Sequence, residues 1–296
     1  MHKTKLALSA FLLSLLFACT DKTISVAPTP APAAANAAST RAPTTTEKID
    51  DILMAAVFGL KYVAGKREIV ATMSDPDNQG ETGEYLVRPG GSTILKNGVT
   101  VFVTSGQAMD DDGEPESSFG TGGLMSVFFL RQQDGKWVIL QRLENIVALG
   151  SNGQLGSIEW PMLGKDKQGM AIASSFMTQG IMLESLSLFE VGENKVRKVS
   201  GDGIRTEASN DGDCVKELSM ECFDTVGKWR MVPPKVAGDY DDFLLEVKGT
   251  ISSAPGDYKE TATGPRVTEK ISGTARYAFD GKQYKIVEGE NLVREP

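Results

Sequence analysis

Three short stretches of the chain place oxygen ligands in glycine-containing turns. They are Asp75-Pro76-Asp77-Asn78-Gln79-Gly80, Asp110-Asp111-Asp112-Gly113-Glu114 and Asn210-Asp211-Gly212-Asp213. Calcium takes six to eight oxygens, and carboxylates spaced through a turn supply several of them. The first stretch has an acid-x-acid start and a glycine in sixth place, as an EF-hand loop does. Leu86 stands where that loop needs its closing glutamate, and no helical pattern flanks it, so it is not an EF-hand. The candidate metal ligands are therefore Asp75, Asp77, Asp110, Asp111, Asp112, Asp211 and Asp213, with calcium as the ion they would suit. Solvated turns between strands have the same composition, and that reading stays open beside it.

Paired carboxylates could also serve glycoside hydrolysis, which needs two at a defined separation. The chain has 39 acidic side chains, and sequence selects no pair among them. The densest late cluster, Asp239, Asp241 and Asp242, precedes Phe243-Leu244-Leu245 and reads as the entry to a strand. No catalytic residue is assigned. The only histidine is His2, so the rest of the chain has no Ser-His-Asp or Cys-His arrangement and no His-ligated zinc. There is no G-x-S-x-G elbow, no S-x-x-K pair and no Walker phosphate loop. Carboxylate chemistry, or a metal held by oxygen, is what this composition leaves.

Three cysteines are present, Cys19, Cys214 and Cys222. The last two are eight residues apart, and in an oxidising compartment they are most simply a disulfide closing a small loop. The tryptophans Trp137, Trp160 and Trp229 could offer a sugar-stacking platform. Trp137 falls within a hairpin strand and Trp160 precedes Pro161, so packing suits those two, and Trp229 is the least constrained. Met170, Met177 and Met182 read as core filler.

The amino terminus carries His2, Lys3 and Lys5, then a mostly apolar run from Leu6 to Ala18. That is a signal-peptide pattern, too short for a stable membrane span. The run ends in Leu16-Phe17-Ala18-Cys19, which resembles the lipobox of bacterial lipoprotein export signals. Phe17 is bulkier than the usual occupant of its place, and the alternative is an ordinary signal peptide with an incidental cysteine. The resemblance implies cleavage before Cys19 and acylation of Cys19. Sorting in that family depends on the residues that follow. Thr20 favours the outer membrane, and Asp21 blurs that preference.

From Thr20 to Pro43 the chain is Ala, Pro, Thr and Ser with almost no large apolar residue, the composition of a disordered tether. Its roughly two dozen residues would reach about 25–30 Å as a coil. Loss of residues 1–18 removes Lys3 and Lys5, so the 31 basic side chains become 29 against 39 acids. A formal charge near −10 disfavours nucleic acid and anionic headgroups as partners. Membrane contact is then expected through the lipid alone, with an envelope protein or glycan as the partner of the body.

The elements that must position any site begin at Thr44, where Thr44 and Glu47 fit a capping box. Ile49, Ile52, Leu53, Ala56, Leu60 and Val63 recur at helical spacing and predict one amphipathic helix. From about Arg67 the pattern becomes that of strands. Val99, Val101 and Val103 alternate with Thr100, Phe102 and Thr104 after Asn97-Gly98, a two-residue hairpin signal. Leu124–Arg131 and Lys136–Leu143 flank Asp134-Gly135, and the first of these is apolar on both faces, as a central strand would be. Ser157–Leu163, Met170–Phe176 and Ile181–Val191 also read as strands, with Pro161 confining the first to an edge. Ile271 to Phe279 alternate, and Asp280-Gly281 turns into Tyr284–Val287. At a constant offset of 146 residues, Asp134-Gly135-Lys136 matches Asp280-Gly281-Lys282 and Glu144-Asn145 matches Glu290-Asn291; Val101 and Thr104 match Val247 and Thr250.

The class is mostly antiparallel β with hairpins and one amino-terminal helix. Residues 1–18 form the signal, 19–43 the lipidated cysteine and tether, and 44–296 the β-rich body. Candidate related units span 44–147 and 194–296, joined by a connecting β segment. The expected function is a membrane-anchored envelope lipoprotein that binds or scaffolds without catalysis. A carboxylate- or metal-dependent hydrolase acting on envelope polysaccharide is the alternative from another class, and a calcium-stabilised surface module is a third.

Overall fold

The helix α1 (Thr45–Phe58) ends in a single 3₁₀ turn over Gly59–Lys61. The computed structural model describes residues 45–76, 80–178, 180–210, 214, 221–253 and 266–295. Among these, no helix is long and apolar enough to cross a membrane. The helix exists where its periodicity predicts, but its buried face differs from the expected one. Leu53, Met54, Val57 and Asp50 are buried, whereas Ile49, Ile52 and Val63 are exposed. The inward stripe is set by the sheet beneath it, which the helical period alone does not identify.

That sheet is a five-stranded antiparallel meander, in order β1 (Ile69–Ser74), β2 (Thr82–Ile94), β3 (Thr100–Ala108), β4 (Gly123–Gln133) and β5 (Lys136–Leu149). The alternation of β3 and β4 sends Phe102, Phe128 and Leu130 toward α1. It sends Val101, Val103, Val127 and Phe129 to the opposite face, against the second sheet. The interior strand β4 is thus apolar on both faces, as its sequence predicts. Each of these fully buried side chains contributes about 1.5–3 kcal/mol. The β4–β5 turn has both Asp134 and Gly135 at positive φ, so it is the two-residue turn that an Asp-Gly pair favours. The β2–β3 connection differs from the expected two-residue turn. Leu95 N donates to Val99 O, Gly98 N donates to Leu95 O, and only Gly98 takes positive φ, so the loop has three residues.

The second sheet has ten strands among the described residues. They are β6 (Ser157–Glu159), β7 (Met162–Gly164), β8 (Lys167–Thr178), β9 (Ile181–Gly192), β10 (Lys195–Lys198), β11 (Ile204–Ser209), β12 (Cys222–Val232), β13 (Asp242–Ser253), β14 (Val267–Phe279) and β15 (Tyr284–Gly289). Trp160-Pro161 splits the predicted strand at 157–163 into β6 and β7, both of which pair with β8 at the edge. Strand β9 pairs along one side with β8. Its other side pairs with β10 at Phe189–Gly192 and with β11 at Met182–Leu186. Beyond β11 the strands run as a second five-stranded meander, β11 to β15.

The two meanders close in the same way. In the first, Asn145 on β5 donates from Nδ2 to Ser74 O on β1 at 2.8 Å, and Glu144 accepts from Ser74 N at 3.1 Å. In the second, Asn291 after β15 donates from Nδ2 to Arg205 O on β11 at 3.0 Å. The 146-residue offset therefore relates two asparagines that tie the last strand of a meander back toward its first. The turns themselves differ: Gln133 pairs with Lys136, whereas Phe279 pairs with Tyr284 across a loop two residues longer. In that loop Asp280 accepts from Lys282 N and Gln283 N. The architecture is that of two β units on a similar plan, and among the described residues only the first carries a helix over its open face.

Cys214 and Cys222 form a disulfide, as their spacing predicts. Buried Asn210 lies beside it, accepting from Phe223 N at 2.7 Å and donating to Glu221 O at 2.7 Å. Because the bridge closes a loop of about nine residues, replacing both cysteines by serine is expected to lower stability by about 2–3 kcal/mol. Urea unfolding of the oxidised protein and the double variant measures this directly.

Asp50 is buried on α1 and accepts from Arg67 at 3.2 Å, while its Oδ1 has no partner. Burial raises its carboxyl pKa, the Arg67 charge opposes that, and Asp51 and Glu47 add to the rise. Nearby, Tyr62 donates to Asp51, and burial followed by that acceptor pushes the phenol up to about 12. A raised Asp50 favours the protonated fold. The stability it contributes is full below the unfolded value near 4 and is lost as pH rises through the folded value. Asp50→Asn is expected to keep or raise the melting temperature at pH 7 and to flatten its pH dependence above the ordinary aspartate range. A fall of several degrees at pH 7 would show that the Arg67 pairing outweighs burial.

Candidate functional site

Strand β12 alternates Phe223, Thr225, Trp229 and Met231 inward with exposed Asp224, Val226, Lys228 and Arg230 outward. Gly227 falls in the inward series because a Cβ there would meet Leu245 Cδ1 at 2.7 Å and Thr206 O at 2.9 Å. Its absence lets β11, β12 and β13 curve closely together. Trp229 is half-buried and stacks on fully buried Phe243 from β13, with ring centroids 5.6 Å apart and planes 17° from parallel. Phe243 is held in turn edge-on by Tyr277 of β14 at 5.5 Å. Three strands thus fix one indole.

Opposite Trp229 stands the edge formed by β6 and β7. Glu159, Pro161 and Met162 from that edge, with Gly227 to Met231 of β12 and with Asp241, line an open groove of about 780 Å³. Its size falls in the range of ordinary ligand sites. Its lining combines Trp229, two methionines and the acidic residues Glu159 and Asp241, and Lys228 and Arg230 border it from the outward face of β12. Arg230 also pairs with Glu246 on β13.

The Asp241 wall is held by a network that sequence reading did not find. Asp241 N donates to Leu163 O at 2.8 Å, and Tyr284 Oη donates to Asp241 O at 3.0 Å. Gly164 lies so near this loop that a Cβ would come within 2.1 Å of Asp239 O. The neighbouring Tyr240 donates to Glu190 at 3.0 Å, accepts from Arg197 at 2.8 Å, and stacks on Phe279 with centroids 4.0 Å apart. Arg197 also donates to Glu190 at 2.6 Å, and the Lys167 ammonium sits over the Tyr240 ring at 4.4 Å. Burial alone would raise the Glu190 carboxyl, but bonds from Arg197 and Tyr240 and the charges of Arg197 and Lys167 outweigh it and hold it low. These residues come from four separated parts of the chain, and no motif links them.

Two smaller openings lie elsewhere. One of about 240 Å³ is lined by Leu95, Met162 and Val191, and near it Lys96 pairs with Asp166. The other, of about 310 Å³, is lined by Ser174, Ser185, Ser187, Phe176 and Leu149.

Among the described residues, the metal candidates Asp75, Asp110, Asp111 and Asp112 do not line the groove. Asp110 Oδ1 accepts from Asp112 N at 3.0 Å and Glu114 N at 2.9 Å, so its carboxylate organises its own exposed turn. Asp111 and Asp112 are exposed in that turn, and Asp75 follows β1 with its N–H donating to Glu81 O at 3.0 Å. Asp77, Asp211, Asp213 and Cys19 lie outside the described residues. Among the described residues no group of three or more His, Cys, Asp or Glu side chains is gathered so that it could hold a metal ion. Asp242 begins β13 as predicted and is buried against Arg276 at 2.7 Å. Trp137 and Trp160 pack against core clusters, as expected, and Met170 is fully buried. Met177 departs from the core-filler reading and is exposed beside the β8–β9 turn.

Glu190 supplies stability above the unfolded glutamate value near 4.3, and that contribution is lost as pH falls through its lower folded value. Glu190→Gln is expected to cost about 1–2 kcal/mol at pH 7, since it leaves Arg197 and Lys167 without their carboxylate. It should cost less near pH 3, and thermal melts across pH 3 to 7 check both. No family model matches the chain, and neither the search of curated proteins nor the search of solved structures found a similar one.

Proposed function

We propose that this protein is a lipid-anchored protein of the bacterial cell envelope whose β body is a non-enzymatic binding module. The anchor rests on the sequence Leu16-Phe17-Ala18-Cys19 after a basic start and an apolar run. The Ala-, Pro- and Thr-rich residues 20–43 then separate Cys19 from the body that starts at α1. The observation that carries the binding reading is the open groove facing Trp229. It presents a rigidly backed aromatic side chain beside the acidic residues Glu159 and Asp241 on a β scaffold. A lipid on Cys19 holds the protein at the membrane, with the outer membrane favoured by Thr20. The body engages an envelope component through the groove.

Replacing Cys19 by serine is expected to abolish incorporation of a labelled fatty acid. Label retained by the Cys19→Ser form would overturn the anchor. The same lipid-free full chain is expected to cosediment with isolated envelope material and to lose that retention in Trp229→Ala. Retention that is absent, or indifferent to Trp229, would overturn the groove as the binding surface.

A further inference from the structure

Resting on that reading of the groove, we infer that its ligand is a neutral oligosaccharide, one ring of which stacks on Trp229. The indole meets the requirement for stacking a sugar ring. One side of it packs on Phe243 at 5.6 Å and nearly parallel, and Phe243 is itself pinned by Tyr277, so the ring is held in place before a ligand arrives. A rigid aromatic with two rotatable bonds loses little entropy when a ligand covers it.

The charged groups decide the ligand's character. Glu159 and Asp241 line the groove, while Lys228 and Arg230 leave β12 on the face away from Trp229, so no cationic excess gathers beside the indole. Arg230 is already engaged by Glu246, which leaves still less attraction for an anion. A polyanion would need a cationic excess, and the chain as a whole has a formal charge of −8. Sugar hydroxyls donate to carboxylates, so an uncharged ring can meet Glu159 and Asp241 without bringing a like charge. The groove is also open rather than enclosed, which suits part of a polymer better than a small apolar molecule buried on all sides. The bonds at Asp241 N and Asp241 O hold the backbone of that wall in place without the ligand.

The test is calorimetric titration of the full-length lipidated protein in a sugar-free detergent with maltotetraose, chitotetraose and mannotetraose. Polygalacturonate serves as the charged comparison. At least one neutral oligosaccharide is expected to bind, with polygalacturonate weaker. Trp229→Ala should weaken binding at least tenfold, or about 1.4 kcal/mol, and Trp229→Phe should recover most of it. Because Trp229 also touches the core, Glu159→Gln provides the second arm: three- to tenfold weaker binding at an unchanged melting temperature. No binding of any of the three sugars, or equal affinity in all variants, would overturn the inference. If the sugars fail while envelope retention still depends on Trp229, the groove is a binding surface for another class of partner and only the glycan assignment falls. If both fail, the binding reading falls with it.

Discussion

Met170, Ile172, Phe189 and Val191 leave β8 and β9 on one face, while Ala171, Leu186 and Leu188 leave on the other. This hairpin belongs to two cores at once. Its first face closes the apolar side of the amino-terminal meander, and its second floors the interior of the carboxy-terminal one. Burying both faces of a strand pair is favourable only if neighbouring layers exist on each side. Neither meander can therefore satisfy its exposed apolar surface without this connection. The groove depends on the same constraint, because β6 and β7, its outer wall, join the sheet by pairing with β8.

Where a ladder ends, asparagine does the joining. Asn145 accepts from Ser126 Oγ and donates to Ser74 O; Asn210 accepts from Phe223 N and donates to Glu221 O. Asn291 accepts from Val293 N and donates to Arg205 O. A side-chain amide is a peptide group on a short arm, able to donate and accept in one plane. It can thus continue hydrogen bonding across a seam that the strands do not span. Two of these residues stand 146 positions apart at equivalent closures, while the hairpin turns and the helix do not repeat. Closure is common to the two units, and decoration is not.

The aromatic and charged contacts around the groove follow the curvature of the second sheet. Trp229, Phe243 and Tyr277 lie on three adjacent strands and meet because those strands bend inward together. Tyr240, Glu190, Arg197 and Lys167 meet because the loop before β13 crosses onto the β7–β8 turn. Both clusters stiffen the walls of the groove, and neither is part of a local motif.

Local patterns were sufficient for the strand at 123–133, both Asp-Gly hairpins, the edge demotion by Pro161, the disulfide and the existence of the helix. In each case the deciding physics acts within a few residues: period-two alternation, the φ preferences of a turn, the missing N–H of proline, the short loop between two cysteines. The helix face was misjudged by about one position because several apolar stripes fit the same period, and the sheet selected the one containing Leu53, Met54 and Val57. The acidic turns were legible as turns, but composition could not say whether their carboxylates face an ion or, like Asp110, their own backbone. Trp229 stood out in the sequence only as the least constrained tryptophan. That it is backed by Phe243 and faced by Glu159 was decided by strand register and sheet curvature, which bring together residues as far as 84 positions apart. Such proximity is set by the summed packing of two cores, and no local preference encodes it.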